Sequence, residues 1–312
     1  MNLLILGAGG LGCELLKNAT MMVARKEIQL KKITIIDMDT IELTNLNRQF
    51  MFNDNDIGKY KAQVAAKYVD EKFTGVVKVE PLVTDLTTLS RDFYEQYQLI
   101  ISGLDAIEPR RYINQMCIQI AQLSQFGNII PLIDGGVESL KGHVKLIIPG
   151  VTACWECSIS TLPNQDVMGS DGGNVPLCTI ATNPRSLEHV IEFVYIKAME
   201  GGLAKDWDQD ATVVNQLLSQ CQDRANEYNI DKDKLTISYM LGVMKKIIPN
   251  VSTANAMIAA QCCLELYKIY NDLIDFDSNP HNFLMINGNQ GQFHYSFTYE
   301  RDPQCPVCSV LF

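Results

Sequence analysis

A glycine-rich turn near the N-terminus constrains the fold of this 312-residue chain more than any other feature. The apolar run Asn2 to Leu6 leads into the turn, a helical pattern follows it, and a second apolar run ends at Asp37. This order predicts a strand, a turn, a helix and a second strand, with free backbone N–H groups at the helix N-terminus for a phosphate-sized anion. The turn has the spacing G-x-G-x-x-G with one extra glycine, and its glycines are Gly7, Gly9, Gly10 and Gly12.

Strands and helices continue to alternate along the first half of the chain. Apolar runs at 77–82, 98–102 and 129–133 have the length and composition of buried strands. The segments 61–72 and 110–125 have helical periodicity. Such alternation is typical of an α/β fold with a doubly wound, mostly parallel, Rossmann-like sheet.

The pattern changes in the second half of the chain. Residues 158–178 are rich in Asn, Asp, Ser, Gly and Pro, as in a long mobile connection, and 184–248 are helical without strands. An apolar helix and two short β-like runs then return. The sequence therefore predicts one α/β domain made of residues 1–160 and 250–312, interrupted by an inserted helical domain at 161–249.

Composition argues against several classes of protein. Hydrophobic residues make up 47% of the chain and charged residues 20%, which predicts a folded core and argues against disorder. The net charge of −10 argues against a general nucleic-acid binder, because phosphate affinity needs clustered Lys and Arg. Since no apolar run approaches the roughly 20 residues that span a bilayer, we expect no membrane partner. The expected location is the cytosol or nucleus, where thiols stay reduced.

Charged residues beyond the predicted strands separate two kinds of nucleotide-binding enzyme. Asp37 is placed to bind ribose hydroxyls, and the glycine turn alone leaves a nicotinamide dehydrogenase open. A dehydrogenase has no obvious use for Arg48, whereas an enzyme that transfers a nucleotidyl group must neutralise a triphosphate. Lys61 supplies a second cation, and Asp105 can hold Mg²⁺. Each residue alone would be interpreted as a solvated surface charge, but together they favour the second kind of enzyme.

Four of the ten cysteines form two widely separated C-x-x-C pairs, Cys154 with Cys157 and Cys305 with Cys308. This pattern predicts a tetrahedral, structural Zn²⁺ site, since four thiolates leave no open position for water. Closing the loop between the pairs costs about 4 kcal/mol of chain entropy, while a structural zinc ion offers ~10–16 kcal/mol. Zinc would therefore tie the C-terminus back to the first domain. The alternative is that the pairs are redox-active or incidental.

Cys178 stands between the polar connection and the helical segment, in Val-Pro-Leu-Cys-Thr-Ile-Ala. A nearby helix N-terminus would lower the pKa of its thiol and make it a nucleophile, although the residue alone is more typical of a packing cysteine. His189 is interpreted as a structural or surface histidine. The remaining cysteines fall in helical patterns and are interpreted as packing residues: Cys13, Cys117, Cys221, Cys262 and Cys263.

Seven motifs together resemble the ubiquitin-like-modifier activating enzymes of the ThiF/MoeB-like superfamily. The resemblance covers essentially the whole chain and is greatest to the catalytic subunits of the heterodimeric Nedd/Rub-type activators. The motifs are the glycine turn, Asp-Met-Asp-Thr-Ile-Glu (37–42), Asn-Leu-Asn-Arg-Gln-Phe (45–50), Asp-Ile-Gly-Lys-x-Lys-Ala (56–62), Gly-Leu-Asp-Ala (103–106), Thr-Ala-Cys-Trp-Glu-Cys (152–157) and Pro-Leu-Cys-Thr-Ile-Ala (176–181).

The resemblance implies a set of ligand contacts. Asp37 would bind the ATP ribose, and the glycine turn would lie beside the nucleotide. The phosphates would be lined by Asn45, Arg48 and Lys61. Asp105 would coordinate Mg²⁺, and the four paired cysteines would hold Zn²⁺.

The resemblance also implies a reaction and its partners. Residues 1–160 and 250–312 would form an adenylation domain, and 161–249 a catalytic-cysteine domain. ATP would adenylate the C-terminus of the modifier, Cys178 would then carry it as a thioester, and a conjugating enzyme would accept it. A separate non-catalytic subunit would complete a heterodimer, because this chain has one glycine-turn unit. Larger relatives continue into a ubiquitin-like-fold domain that recruits the conjugating enzyme, while this sequence stops four residues after Cys308.

Three alternatives make different predictions. A homodimeric sulfur-carrier adenylyltransferase shares the nucleotide and zinc motifs but does not need the insertion around Cys178. A non-catalytic scaffold subunit should lack the phosphate-site cations, Asp105 and Cys178, and this chain has them all. An NAD-dependent oxidoreductase would show no modifier-dependent ATP–pyrophosphate exchange. By the same resemblance, Lys145 stands where Nedd-activating relatives carry an arginine that helps to reject ubiquitin, a departure from the family pattern that bears on modifier selectivity.

Overall fold

The structure is a computed structural model. It describes residues 1–161, 184–204, 207–244, 251–275, 281–289 and 291–311. Cys178 and most of the polar run 158–178 lie outside the described residues. Within the described ranges, the helices are too short or too polar to cross a membrane.

Eight strands in the described part of the chain form one mixed sheet. In chain order they are β1 (Asn2–Leu6), β2 (Lys32–Ile36), β3 (Lys78–Leu82), β4 (Leu99–Ser102), β5 (Leu132–Glu138), β6 (Lys141–Ile147), β7 (Phe283–Asn287) and β8 (Phe293–Phe297). Across the sheet the order is β3-β2-β1-β4-β5-β6-β7-β8. Across the sheet, neighbouring strands from β3 through β2, β1 and β4 to β5 pair in parallel. Neighbouring strands from β5 through β6 and β7 to β8 pair antiparallel. The predicted α/β, doubly wound fold is confirmed.

The strands differ in composition because they differ in depth within the sheet. β1 and β4 are apolar and almost completely buried, as expected of parallel strands covered on both faces. β8 forms an edge of the sheet and is mostly exposed. It alternates aromatic residues (Phe293, Tyr295, Phe297) with polar ones (His294, Ser296), a pattern that strands of antiparallel sheets commonly show.

Helices are the second kind of regular element in the described part of the chain. They are α1 (Gly10–Ala24), α2 (Lys61–Lys72), α3 (Arg91–Tyr94), α4 (Ile107–Leu123), α5 (Leu187–Glu200), α6 (Ala211–Glu227), α7 (Ile237–Met244) and α8 (Ser252–Tyr270). α8 packs against α1 and β5, so a segment late in the sequence forms part of the same core as the first residues of the chain. At these contacts a Cβ on Gly10 would lie 3.1 Å from Asn255 Nδ2, and one on Gly135 would lie 3.0 Å from Cys262 Sγ.

The chain divides into two compact units. The first comprises Met1–Thr161 and Asn250–Phe312 and contains the sheet, and the second comprises Leu162–Pro249 and contains α5, α6 and α7. The second unit has an apolar core of its own, because each of its helices turns one apolar stripe inward. That core includes Val190, Ile191, Leu217, Cys221 and Met240. All five predicted packing cysteines of the chain are buried.

Candidate functional site

The carboxyl ends of three neighbouring strands form one edge at the centre of the sheet. Leu6 on β1 pairs with Ile36 on β2 and with Ser102 on β4, so the three strands end level with one another. The chain runs outward from β1 through β2 to β3 and then crosses to β4 on the other side of β1. In open α/β sheets, ligands bind in the crevice at such a switch point. This edge therefore carries the candidate nucleotide site.

The glycine turn packs tightly on one side and is open on the other. A Cβ on Gly12 would lie 2.0 Å from the Gly7 carbonyl oxygen. Gly7 itself has a φ of +92°, and a Cβ there would lie 2.9 Å from the Gly103 carbonyl oxygen. A Cβ on Gly9 would meet nothing closer than the Gln49 side-chain nitrogen at 3.9 Å. Gly7 and Gly12 are thus needed for packing, whereas Gly9 leaves space for a ligand at the N-terminus of α1.

Asp37 follows β2 and holds the glycine turn in place. Its Oδ2 accepts a hydrogen bond from the Ala8 N–H at 2.6 Å, and its Oδ1 accepts one from the Asp39 N–H at 2.8 Å. Burial raises the pKa of the Asp37 carboxyl, and the two N–H donors oppose that shift. The carboxylate is therefore fixed in direction at the edge where a ribose would lie.

Arg48 carries a guanidinium group that has no carboxylate partner within the described part of the chain. It follows the 3-10 turn Leu43–Asn45, in which Asn45 Oδ1 accepts a hydrogen bond from the Glu42 N–H at 3.0 Å. Arg48 Nη1 donates to the Thr44 carbonyl oxygen at 2.9 Å, while the Arg48 Nε is buried without a partner among the described residues. A guanidinium held in this way retains its attraction for an incoming phosphate.

Lys61 begins α2 and already has an anionic partner. Its Nζ lies 2.8 Å from Asp39 Oδ2. The Lys61 side chain is 11% exposed and that of Asp39 is 59% exposed, so a solvated carboxylate holds a mostly buried ammonium group. An ion pair with an exposed carboxylate is weak, so an anionic ligand can displace Asp39 from Lys61. Sequence reasoning missed Asp39, although its position two residues beyond Asp37 was an available signal.

Gln49 is a second site residue that the sequence did not reveal. Its side chain is buried beside Gly9, and its Oε1 lacks a hydrogen-bond partner among the residues described. Leaving a buried amide oxygen unpaired costs roughly 1–3 kcal/mol. Rotation of the amide would present either its oxygen or its N–H groups to a ligand. Gln49 therefore belongs to the lining of the glycine turn, and only the folded structure places it there.

Asp105 lies at the same edge, beyond the end of β4. It is exposed, and no cation pairs with its carboxylate in the described ranges. The Gly103 N–H donates to the Leu6 carbonyl oxygen at 2.8 Å, which ties this loop to the end of β1. The carboxylate oxygens are therefore open to a divalent cation, which prefers such ligands.

The four paired cysteines meet in one cluster in the first unit. The Sγ–Sγ distances are 3.6 Å for Cys154 and Cys305, 3.8 Å for Cys154 and Cys157, and 3.4 Å for Cys157 and Cys308. All four sulfurs lie within 4.8 Å of one another. Sulfurs around a tetrahedral zinc ion with bonds of about 2.3 Å lie about 3.8 Å apart. The spacing is too long for a disulfide, and the donor set fits a zinc ion.

The surroundings of Cys157 and Cys308 shift the pKa values of these two thiols in opposite directions. Hydrogen bonding from the neighbouring Cys154 thiol lowers the pKa of Cys157. Burial raises the pKa of Cys308 to about 12. Metal binding requires thiolates, so the affinity of this cluster for a cation would increase with pH.

Lys145 on β6 is buried and bonded to the loop of the first cysteine pair. The residue is only 2% exposed, and its Nζ donates to the Cys154 carbonyl oxygen at 2.9 Å and to Ser158 Oγ. It also lies over the Tyr299 ring, 5.5 Å from the centroid. The ammonium group thus points into the loop of the first cysteine pair.

Two sequence predictions concern the second unit. Cys178 lies outside the described residues, so its thiol stays a prediction. His189 lies in the first turn of α5, where its Nδ1 accepts a hydrogen bond from the Arg185 N–H at 3.1 Å. That contact fits the structural role expected for this histidine.

Comparisons with known proteins show the family to which the chain belongs. Residues 1–307 match the ThiF family, and the chain belongs to that family. It is 54% identical over 308 residues to the NEDD8-activating enzyme E1 catalytic subunit of Saccharomyces cerevisiae, covering 98% of this chain and 97% of the relative. It is 36% identical over 332 residues to the Schizosaccharomyces pombe protein of the same name, covering 99% of this chain and 70% of that one. The resemblance inferred from the motifs is confirmed.

A solved structure supports the fold independently. The crystal structure of E. coli MccB with ATP matches this chain with a TM-score of 0.55 and 18% sequence identity. The match covers 98% of this chain and 65% of the MccB chain. At this identity the likeness concerns the fold alone.

Proposed function

We propose that this chain is the catalytic subunit of an enzyme that activates a ubiquitin-like modifier of the Nedd/Rub type. ATP adenylates the modifier's C-terminal carboxylate, Cys178 takes the modifier as a thioester, and a conjugating enzyme accepts it. The observation that carries the proposal is the 54% identity to the S. cerevisiae NEDD8-activating enzyme E1 catalytic subunit, which extends over 97% of that relative. The Arg48 guanidinium, which among the described residues bonds only to neutral oxygens, supports the same reaction.

The proposed ATP site uses the central edge of the sheet. Asp37 binds the ribose hydroxyls. The triphosphate lies at the open face of Gly9, where it meets the N-terminus of α1. Arg48 and Lys61 approach the phosphates with their charged groups, and Asn45 contributes a neutral amide beside them. Lys61 exchanges Asp39 for a phosphate oxygen as the nucleotide binds.

Two metal ions complete the proposed enzyme. Asp105 holds Mg²⁺, which, when bound, neutralises phosphate charge and stabilises the departing pyrophosphate. The cysteine cluster holds Zn²⁺ in a structural role, because four thiolates leave no position for a reacting water. That site joins the C-terminal cysteine pair to the loop after β6.

The proposed chemistry follows from charge. A carboxylate oxygen of the modifier forms a bond to the α-phosphorus of ATP while the bond to pyrophosphate breaks. Both reactants are anions, so Arg48 and Lys61 offset their repulsion as charge builds on the leaving group. The Cys178 thiolate then attacks the carbonyl carbon of the acyl-adenylate, AMP leaves, and a thioester forms.

The proposed partners are proteins. They are a non-catalytic activating-enzyme subunit in a heterodimer, the modifier, and the cognate conjugating enzyme. The net charge of −10 accords with protein partners better than with nucleic acid. The proposed location is the cytosol or nucleus, where the free thiols on which the enzyme depends stay reduced.

Two variants of Cys178 test the proposal in the presence of the partner subunit. Cys178→Ala should keep modifier-dependent ATP–pyrophosphate exchange and lose the DTT-sensitive modifier adduct. Cys178→Ser should convert that adduct into one that resists DTT, since an oxyester replaces the thioester. Persistence of the DTT-sensitive adduct in the alanine variant would show that another residue is the nucleophile. Absence of modifier-dependent exchange in the wild type would exclude the activating function and reopen the homodimeric sulfur-carrier and oxidoreductase alternatives.

A further inference from the structure

A buried ion pair lies next to the loop that carries Asp105. Arg110, in the first turn of α4, places its Nη1 3.0 Å from Asp134 Oδ2 on β5. Its Nη2 donates to the Leu104 carbonyl oxygen at 2.5 Å and to the Gly135 carbonyl oxygen at 3.1 Å. The Leu104 carbonyl belongs to the peptide bond that leads into Asp105. Arg110 therefore fixes the backbone on which the candidate magnesium ligand stands.

The same carboxylate oxygen also joins the first cysteine pair. Asp134 Oδ2 accepts a hydrogen bond from the Trp155 indole N–H at 3.2 Å. Trp155 lies between Cys154 and Cys157, and its own backbone N–H donates to Asn114 Oδ1 at 2.9 Å. A continuous set of contacts thus runs from the cysteine loop, through Asp134 and Arg110, to the peptide before Asp105.

Burial makes this pair costly, so its retention requires a reason. The Asp134 side chain is 1% exposed and that of Arg110 is 11% exposed. Burial raises the pKa of the Asp134 carboxyl, but the Arg110 guanidinium and His143 outweigh that effect and leave the pKa at about 2. A charged pair in such a place is often no more stabilising than apolar residues of the same volume. Neither residue belongs to the proposed nucleotide contacts, so a positioning role explains the pair better than stability does.

We propose that Arg110 is a positioning residue for Asp105 and that Asp134, anchored by Trp155, holds Arg110 in place. The inference rests on the proposed function, since it takes Asp105 as the magnesium ligand. A guanidinium is needed here because three acceptors in different directions must be joined at once. A lysine would keep the charge but could not span the Leu104, Gly135 and Asp134 oxygens together.

The test compares Arg110→Lys with Arg111→Lys. Arg111 is a matched control, because it is the next residue on α4 and its Nε lies 2.7 Å from Glu156 Oε1, yet no hydrogen bond from it to Leu104 is seen among the described residues. In Arg110→Lys, the Mg²⁺ concentration for half-maximal modifier-dependent ATP–pyrophosphate exchange should rise about tenfold, the effect expected for loss of a hydrogen bond to a charged group. Saturating Mg²⁺ should restore exchange, and Arg111→Lys should behave as wild type. Trp155→Phe should shift the Mg²⁺ requirement in the same direction by a smaller factor.

A second measurement does not depend on activity. Amide hydrogen exchange over residues 103–107 should be faster in Arg110→Lys than in the wild type and unchanged in Arg111→Lys. Equal protection of this loop in all three proteins would overturn the positioning role, whatever the enzyme does. So would a loss of activity in Arg110→Lys that is the same at every Mg²⁺ concentration. A wild type without modifier-dependent exchange would instead refute the proposed function, and the loop measurement would still decide whether Arg110 orders this segment.

Discussion

At the scale of single residues, the two cationic side chains of the candidate site differ in the groups with which they are already paired. Lys61 is paired with Asp39 at 2.8 Å, whereas Arg48 donates to neutral oxygens of its own loop, on Thr44 and Asn47. An ammonium group that must leave a carboxylate gains less from a phosphate than a guanidinium that leaves only neutral acceptors. Arg48 should therefore contribute more to charge stabilisation than Lys61.

Arg48→Gln tests this ranking. The substitution should lower kcat for modifier-dependent ATP–pyrophosphate exchange about 100-fold, because it removes charge where the leaving group forms. The free energy of unfolding should change by less than about 0.5 kcal/mol, since the lost contacts are local and partly solvated. The control is Arg25→Gln, an exposed position just after α1, which should leave both quantities unchanged. Equal activity of the two variants would contradict the role of Arg48.

Lys145 shows what residue-level prediction cannot decide. Its burial and its bond to the Cys154 carbonyl depend on a loop that folds back nine residues later. Whether a lysine points to solvent or into a loop is set by its neighbours in space, which no local pattern reports. The same holds for Gln49, whose side-chain nitrogen lies 3.9 Å from the position of a Cβ on Gly9 only in the folded chain.

At the scale of secondary-structure elements, the turn between β1 and α1 combines two requirements. One side of the turn must pack closely against the backbone of the turn itself. The other side must leave space for an anion at the N-terminus of α1. Both requirements were visible in the glycine spacing, and the strand–helix alternation placed most elements correctly. Element ends were less predictable. The sequence predicts a helix over 110–125 and a strand over 129–133, whereas α4 spans Ile107–Leu123 and β5 begins at Leu132. The ends differ because hydrogen bonds and packing set them.

Two glycine variants separate those requirements. Gly12→Ala should destabilise the protein by about 1–3 kcal/mol, because its Cβ would lie 2.0 Å from the Gly7 carbonyl oxygen. Gly9→Ala should fold normally, since its φ of −75° suits any residue, and should instead raise KM for ATP. Urea unfolding measures the first effect and initial-rate kinetics the second. The assignment of roles would be wrong if the Gly9 variant lost stability while its KM stayed unchanged.

At the scale of the whole molecule, the late part of the chain completes the first unit. Helix α8 fills the core against α1, β7 and β8 extend the sheet, and the C-terminal cysteines reach the loop after β6. The connection matters for stability because a cross-link between distant residues reduces the entropy of the unfolded chain.

Loss of zinc should therefore destabilise the folded protein. Cys305→Ser should abolish stoichiometric zinc and lower the free energy of unfolding by roughly 3–5 kcal/mol, comparable to removal of a long-range cross-link. Metal analysis and urea unfolding measure these effects, and acidification should release zinc from the wild type because the thiolates become protonated. Gln304→Ala, an exposed neighbour, is the control. A wild type that contains no zinc when purified without chelators would refute the metal assignment.

The features that could be predicted from the amino-acid sequence are those that are local in the chain. These are the glycine turn, the alternation of strand and helix, the two C-x-x-C pairs and the charges beyond the strand ends, because each depends on spacing along a few residues. Which side chains meet is set by the tertiary structure. It paired Lys61 with Asp39, set Arg110 against Asp134, turned Lys145 inward and brought the two cysteine pairs to within 4.8 Å. Such contacts join distant segments, and their energies depend on burial and distance, which exist only in the folded chain.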